Sequence, residues 1–217
     1  LYSVPFAGGT PVERQSGGSI GSLSLAQSRI VYTRSTLTAP PDVWTTIVEG
    51  VSRNKTQLTR ENDGWLKDVQ FEKPESLTVT GAGGTPVQYW LLKPPALEAS
   101  RKYRVVFLIH GGPQGAWGDA WSTRWNPSLW AAQGWVVAAP NPRGSTGFGQ
   151  RFTDEISQDW GGKVMTDLGA VFNGVRKPPY VDAAASAGCA ASGHSRQVQM
   201  AVHLYQNIGD MLQNVTI

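Results

Sequence analysis

The stretch Tyr103-Arg104-Val105-Val106-Phe107-Leu108-Ile109-His110-Gly111-Gly112-Pro113 decides the expected fold of this sequence. Its first seven residues are mostly apolar and do not alternate with polar ones, a pattern typical of a strand buried on both faces of a sheet. The apolar run at 135–139 predicts a second buried strand, and helix-like patterns occupy 125–133 and 163–175. Strand, loop and helix in this order, after a hairpin at 76–92, predict an α/β fold with a partly parallel sheet.

Residues 1–72 follow a different pattern, in which short β-branched and aromatic runs are separated by turns. Strands are expected at 1–4, 20–25, 29–33, 42–48 and 68–71, and turns at 7–11, 16–18, 39–41 and 62–64. This spacing is typical of an all-β sandwich, barrel or propeller. A propeller blade has four strands, so the segment would hold little more than one blade.

The composition of these 217 residues argues against several classes of partner. The formal net charge of +3 comes without a run or stripe of Lys and Arg, so we expect no nucleic-acid partner. No apolar run reaches the ~18 residues of a membrane span, so we expect no membrane partner. Cys189 is the single cysteine, so no disulfide can form within the chain. Asn54 and Asn214 begin N-glycosylation sequons, which slightly favour a secreted protein.

The loop His110-Gly111-Gly112-Pro113 indicates acyl-transfer chemistry. Such reactions develop negative charge on a carbonyl oxygen, and backbone N–H groups at the end of a strand can stabilise that charge where no side chain blocks the approach. Lipases and esterases place an HGGG-type loop at this point. Because Pro113 has no N–H, Gly112 is the better candidate donor, with Gly111 beside it. A plain glycine turn is the alternative, and a nucleotide-binding loop is disfavoured because no GxGxxG is present.

The second buried strand runs into a loop at 140–149 that contains two prolines and three glycines. Asn141 and Arg143 are its candidate site residues. We expect Arg143 to pair with a carboxylate such as Asp119 or Asp154. Arg143 either holds the loop together, which is the role we favour, or contacts the substrate.

Four motifs occur in one order along the chain, at 110–113, 121–127, 141–149 and 159–162. In that order they resemble the prolyl oligopeptidase family of serine peptidases, and within it the secreted fungal dipeptidyl-peptidases. The resemblance implies a β-propeller that caps an α/β-hydrolase domain, a Ser-Asp-His triad, and release of dipeptides from the N-termini of peptide substrates. It implies neither a cofactor nor a metal. It also implies an extracellular glycoprotein, of a kind known among dermatophyte allergens.

The predicted fold class is therefore α/β, with a partial α/β-hydrolase domain preceded by β-propeller strands. The expected domains are the C-terminal part of a propeller at 1–72 and the N-terminal part of a peptidase domain at 73–217, within which 169–217 diverges from the family pattern. By position in the family, Gly112 supplies one oxyanion donor. The oligomeric state leaves no signal in the sequence.

The nucleophile of such a domain sits in Gly-x-Ser-x-Gly, on a sharp turn between a strand and a helix. The stretch Gly193-His194-Ser195 matches the first half of that motif and makes Ser195 the candidate nucleophile. Gln197 stands where the second glycine belongs, and its side chain should strain or open the turn. A serine in a surface tail is the alternative.

The triad is expected to be incomplete. Its chain order is Ser, then the acid, then His, with long gaps between them. His203 precedes Asp210, which is the wrong order, and His194 adjoins the nucleophile and cannot be taken as the base. We therefore expect the 217 residues to be a fragment without peptidase activity of its own, its divergent end the result of a reading-frame error or of lost function.

Two other functions stay open. A catalytically inactive binding or interaction protein would use the glycine turns and the Trp-rich segment 117–135 as a recognition surface. A small intracellular esterase is disfavoured by the absent downstream histidine and by the propeller-like first 72 residues.

Overall fold

The computed structural model describes residues 1–47, 55–112 and 114–190, with side chains described up to residue 183. The chain forms two compact units. Within the described residues, the first contains Leu1–Gln70 together with Gly118–Asn126, and the second contains Phe71–Trp117 and Pro127–Ala190. The division into a propeller part and a peptidase part between residues 72 and 73 stays a prediction.

The first unit is built on one antiparallel sheet whose four strands follow in chain order. These strands are β3 (Ser19–Ala26), β4 (Arg29–Thr36), β5 (Ala39–Ile47) and β6 (Lys55–Gln57). Two short strands, β1 (Tyr2–Ser3) and β2 (Val12–Glu13), pair with each other, and α1 (Asp63–Leu66) is a single helical turn. A meander of four strands is the arrangement of one propeller blade.

Three local predictions in this unit are wrong. Residues 68–71 do not form the expected strand, because the chain leaves α1 through a turn there. The turn expected at 62–64 is instead the start of the helical turn α1. The expected turn at 39–41 falls inside β5, because the chain reverses one step earlier, at Leu37 and Thr38. Pro40 and Pro41 are tolerated because they lie at the beginning of β5, ahead of the stretch Trp44–Thr46 that pairs with β6.

As far as the chain is described, the second unit is built on a five-stranded mixed sheet in the order β11-β9-β10-β8-β7. Its strands are β7 (Glu75–Thr80), β8 (Pro86–Leu92), β9 (Tyr103–Ile109), β10 (Val136–Asn141) and β11 (Val181–Ala190). Strands β7, β8 and β10 pair antiparallel, whereas β10, β9 and β11 run parallel. The helices are α2 (Pro127–Ala132), α3 (Gln150–Asp154) and α4 (Lys163–Val175). The predicted hairpin, the two buried strands and the partly parallel sheet are confirmed.

Strand β9 is apolar and buried at every position except the exposed Arg104, because both of its faces are covered. Val105 and Phe107 lie in the cluster that includes α4, where the Phe107 and Phe172 rings have centroids 5.4 Å apart. Val106 and Leu108 lie in the opposite cluster, with α2 and several tryptophans. Burying each such side chain stabilises the fold by roughly 1.5–3 kcal/mol. No helix within the described ranges combines the length and apolarity needed to cross a membrane.

Candidate active site

The loop that follows β9 requires glycine at position 112. We call residues 110–116 the glycine loop; Pro113, one of its predicted site residues, lies outside the described part of the chain. Gly112 has a φ of +136°, and a Cβ placed on it would meet the backbone nitrogens of Gln114 at 2.9 Å and Gly115 at 3.0 Å. Any side chain at this position would be both strained and crowded.

The backbone N–H groups of Gly111 and Gly112 are available to a ligand. Within the described part of the chain neither group donates a hydrogen bond, and Gly112 is exposed. An unpaired N–H is a strong donor. Two adjacent donors at the carboxyl end of a central strand can therefore stabilise a negatively charged oxygen.

His110 begins the glycine loop and joins it to the loop that follows β10. Its Nε2 lies 2.9 Å from the Ser145 Oγ, and its Nδ1 lies 3.1 Å from the Gly111 carbonyl oxygen. Burial lowers the pKa of His110, against an opposing effect of that carbonyl. Ser145 is fully buried and donates a hydrogen bond to the Pro142 carbonyl at 2.6 Å. This Ser–His contact therefore supports the loop and is closed to substrate.

Two further contacts attach the glycine loop to the end of β10 and the residues after it. The Thr146 N–H donates to the Gly115 carbonyl at 2.9 Å. The Asn141 side chain bonds to both main-chain groups of Trp117, at 2.7 and 2.9 Å. The two predicted active-site loops, at 110–113 and 141–149, are thus neighbours in the structure.

Arg143 pairs with neither of the carboxylates expected from the sequence. Its Nη1 lies 3.3 Å from Glu155 Oε2, its Nε lies 3.6 Å from Asp167 Oδ2, and its Nη2 donates to the Ala82 carbonyl at 2.6 Å. Only 2% of its side chain is exposed. Of the two roles left open, these contacts favour holding the loop together over contacting substrate.

The two carboxylates that were expected to pair with Arg143 have other partners. Asp119 belongs to the first unit, where its two oxygens accept hydrogen bonds from the backbone N–H groups of Gly18 at 3.0 Å and Leu37 at 2.9 Å. Asp154 is exposed and accepts a hydrogen bond from Gln150 at 2.8 Å. Pairings that cross many residues of sequence depend on tertiary structure, which residue spacing does not reveal.

Asp167 is a buried carboxylate that the sequence analysis missed. One oxygen accepts a hydrogen bond from the Ala82 N–H at 2.8 Å, and the other accepts one from the Arg143 N–H at 3.0 Å. Burial raises its pKa, while the two N–H groups and the Arg143 guanidinium act in the opposite direction. The sequence feature that could have identified Asp167 is its position beside Leu168 on the apolar face of α4, because a charged residue buried there needs a partner.

The remaining predicted site residues are Ser195, Asn54 and Asn214, and all three lie outside the described residues. Their roles stay predictions. Strand β11 was not foreseen, yet it ends beside the glycine loop: Ala190 pairs with Ile109, the residue directly before His110. Ser195 follows five positions after Ala190 in sequence. In the described ranges no group of three or more His, Cys, Asp and Glu side chains could hold a metal ion.

Comparison of the sequence with known proteins identifies related peptidases. Residues 121–196 match the model of the prolyl oligopeptidase family. The "Dipeptidyl-peptidase 5" of Trichophyton schoenleinii is 50% identical over 127 residues, which are 58% of this chain and 17% of that protein. The protein of the same name from Arthroderma otae is 43% identical over 171 residues, 76% of this chain and 23% of that protein. The matched part thus spans about a fifth of the relatives' length.

Comparison of the structure with solved structures identifies the fold. The Pyrococcus horikoshii acylaminoacyl peptidase matches with a TM-score of 0.70 and 22% identity, over 81% of this chain and 27% of that one. The Porphyromonas gingivalis dipeptidyl peptidase 4 matches with a TM-score of 0.76 and 19% identity, over 98% of this chain and 30% of that one. The predicted fold class, a partial α/β-hydrolase domain preceded by β-propeller strands, is confirmed, as is the resemblance to the family.

Proposed function

Because this chain resembles the prolyl oligopeptidase family of serine peptidases, we propose that the whole protein, rather than these 217 residues alone, hydrolyses peptides through an acyl-enzyme and releases dipeptides from their N-termini. The observation that carries the proposal is the glycine loop. Gly111 and Gly112 present N–H groups that no described residue pairs with, at the carboxyl end of β9, where a tetrahedral intermediate needs donors for its oxyanion.

Ser195 is the proposed nucleophile. Its Oγ attacks the carbonyl carbon of the scissile bond while a general base takes the hydroxyl proton, which then goes to the leaving amine. Water afterwards cleaves the acyl-enzyme ester. The position of β11 supports this assignment, because β11 ends beside Ile109. In α/β hydrolases the turn that carries the nucleophile follows a strand that ends at this same edge of the sheet. We assign neither His194 nor His203 as the base, because neither fits the order Ser, acid, His.

The dipeptide product and secretion are the finer parts of the proposal. The dipeptide product is supported by the names of the relatives from Trichophyton and Arthroderma, both "Dipeptidyl-peptidase 5". Secretion is supported by the two sequons, at Asn54 and Asn214. Glycosylation of either asparagine would place the protein in the secretory pathway.

The test is hydrolysis by the purified protein, as its own gene produces it, of a dipeptide coupled to a chromogenic amine. We expect turnover when the dipeptide has a free N-terminus and little turnover when that amine is acetylated. Ser195→Ala should abolish turnover, whereas Ser192→Ala, three positions earlier in the same segment, serves as the matched control. Activity that survives Ser195→Ala would overturn the assignment of Ser195 as the nucleophile. A wild-type protein that binds a peptide without hydrolysing it would overturn the proposed activity and favour an interaction protein.

A further inference from the structure

The side chain of Asn141, the last residue of β10, makes the two hydrogen bonds with Trp117 that the main chain of a neighbouring strand would otherwise make. Only 1% of Asn141 is exposed. Its Oδ1 accepts a hydrogen bond from the Trp117 N–H at 2.7 Å, and its Nδ2 donates to the Trp117 carbonyl at 2.9 Å. A paired residue on a neighbouring antiparallel strand would make these same two hydrogen bonds with its main chain. The amide therefore restrains the backbone of Trp117 at both of its polar groups.

A second contact sets the orientation of this amide. Nδ2 of Asn141 also donates to Gln88 Oε1 at 2.5 Å, and Gln88 Nε2 donates to Ser76 Oγ at 3.0 Å. Because Nδ2 faces two oxygen acceptors and Oδ1 faces an N–H, rotating the amide by half a turn would place like groups against each other. The side chain is thus held in one orientation by β8.

Trp117 in turn closes the glycine loop. Its indole Nε1 donates to the Leu108 carbonyl at 2.7 Å, one residue before β9 ends. The chain just before the glycine loop and Trp117, the residue directly after it, are therefore held together, and Trp117 is the residue that Asn141 holds. The Trp90 indole adds a hydrogen bond to the Trp117 carbonyl at 2.9 Å.

We infer that Asn141 is a positioning residue for the peptidase reaction: through Trp117 it holds the glycine loop so that the Gly112 N–H stays directed at the substrate's oxyanion. The inference rests on the proposed function. Asn141 touches no substrate and acts only through the loop. Catalysis is sensitive to such positioning, because a displacement of about 1 Å costs on the order of 10²-fold in rate.

The test is Asn141→Asp in the full protein, which replaces Nδ2 by an oxygen that faces the acceptors of Trp117 and Gln88. Active sites are counted with a covalent phosphonate, and kcat per counted site is then compared with KM for a dipeptide chromogenic substrate. We expect kcat per site to fall about 10- to 100-fold with KM nearly unchanged, because an interaction specific to the transition state is weakened. Deuterium exchange at the Trp117 amide should become faster.

The matched control is Asn126→Asp, a change of the same kind at an asparagine that is 3% exposed and belongs to the first unit. Its kcat per counted site should equal that of the wild type. If Asn141→Asp only reduces the number of counted sites and leaves kcat per site intact, the residue is structural and the inference is wrong. If the wild-type protein has no peptidase activity, the proposed function is wrong and the role of Asn141 is wrong with it. This outcome differs from the previous one, in which the wild type is active and only the role of Asn141 is wrong.

Discussion

Asp167 accepts a hydrogen bond from the backbone N–H of Arg143 at 3.0 Å, and the same carboxylate oxygen lies 3.6 Å from the Nε of that arginine. Both side chains are almost fully buried, with 0% and 2% exposed. The other Asp167 oxygen binds the Ala82 N–H, so one carboxylate connects α4, the loop after β10 and the turn between β7 and β8.

Asp167→Ala should destabilise the second unit strongly. The change leaves the Arg143 charge without one buried partner and removes the acceptors of two backbone N–H groups, so we expect a loss of about 3–5 kcal/mol in the free energy of unfolding. Urea denaturation followed by tryptophan fluorescence measures it. Asp154→Ala, at an exposed position on α3, should stay within about 0.5 kcal/mol of the wild type. Equal losses for the two variants would show that the buried connection contributes nothing.

Two glycines in α4 should respond differently to alanine. A Cβ on Gly169 would meet nothing within 4 Å, whereas a Cβ on Gly174 would lie 2.9 Å from Val79 Cγ1. Gly169→Ala should stabilise the protein by about 0.5–1 kcal/mol, because alanine loses less backbone entropy in a helix. Gly174→Ala should gain nothing or destabilise. Thermal melts of the two variants test the difference, and a gain for Gly174→Ala would contradict the packing described for this helix.

Asp42 should make the stability of the first unit sensitive to acid. Burial acts to raise the pKa of Asp42, but hydrogen bonds from Thr59, Asn62, the Glu61 N–H and Gln57 outweigh it, and the pKa is lowered from 3.8. The folded state therefore holds the charged form more tightly than the unfolded state does. This contribution is complete above about pH 3.8 and is lost as the pH falls through the lowered value.

The check on this linkage is Asp42→Asn, compared with Asp63→Asn on the exposed side of α1. Denaturation at several pH values between 7 and 3 should show that Asp42→Asn loses stability at neutral pH and depends less on pH below 4. The Asp63 variant should follow the wild-type curve. Parallel curves for Asp42→Asn and wild type would mean that the carboxylate has the same pKa in both states.

Gly112→Ala should reduce catalysis more than stability. Its φ of +136° and the nearby nitrogens of Gln114 and Gly115 force the loop to move, so the oxyanion donor is displaced. Loss of such a donor costs about 10²- to 10³-fold in kcat. Gly161→Ala is the control, because a Cβ there meets nothing within 4 Å and its φ is not positive. Steady-state kinetics on a dipeptide substrate compare the two, and unchanged kcat in Gly112→Ala would remove the glycine loop from the mechanism.

Residue patterns predicted the elements whose signal is local. Strand β9 and helix α4 have the predicted bounds. The apolar run of the strand and the helical spacing of apolar residues are both patterns that a dozen consecutive residues are enough to reveal. Strand β11 was missed because its sequence, Val-Asp-Ala-Ala-Ala-Ser-Ala-Gly-Cys-Ala, has a single β-branched residue, so only its pairing with β9 identifies it. The partners of Arg143 were missed for a related reason: Asp167 is 24 residues away in sequence, and only the fold brings it to the loop.

We propose above all that the glycine loop stabilises the substrate oxyanion that forms when Ser195 attacks the scissile carbonyl. The most direct measurement is a crystal structure of the protein after reaction with a phosphonate that mimics the tetrahedral intermediate. We predict a covalent bond to Ser195 Oγ and a phosphonyl oxygen about 2.7–3.1 Å from the Gly112 nitrogen. A phosphonate attached to another residue, or one whose oxygens all point away from Gly111 and Gly112, would contradict the claim.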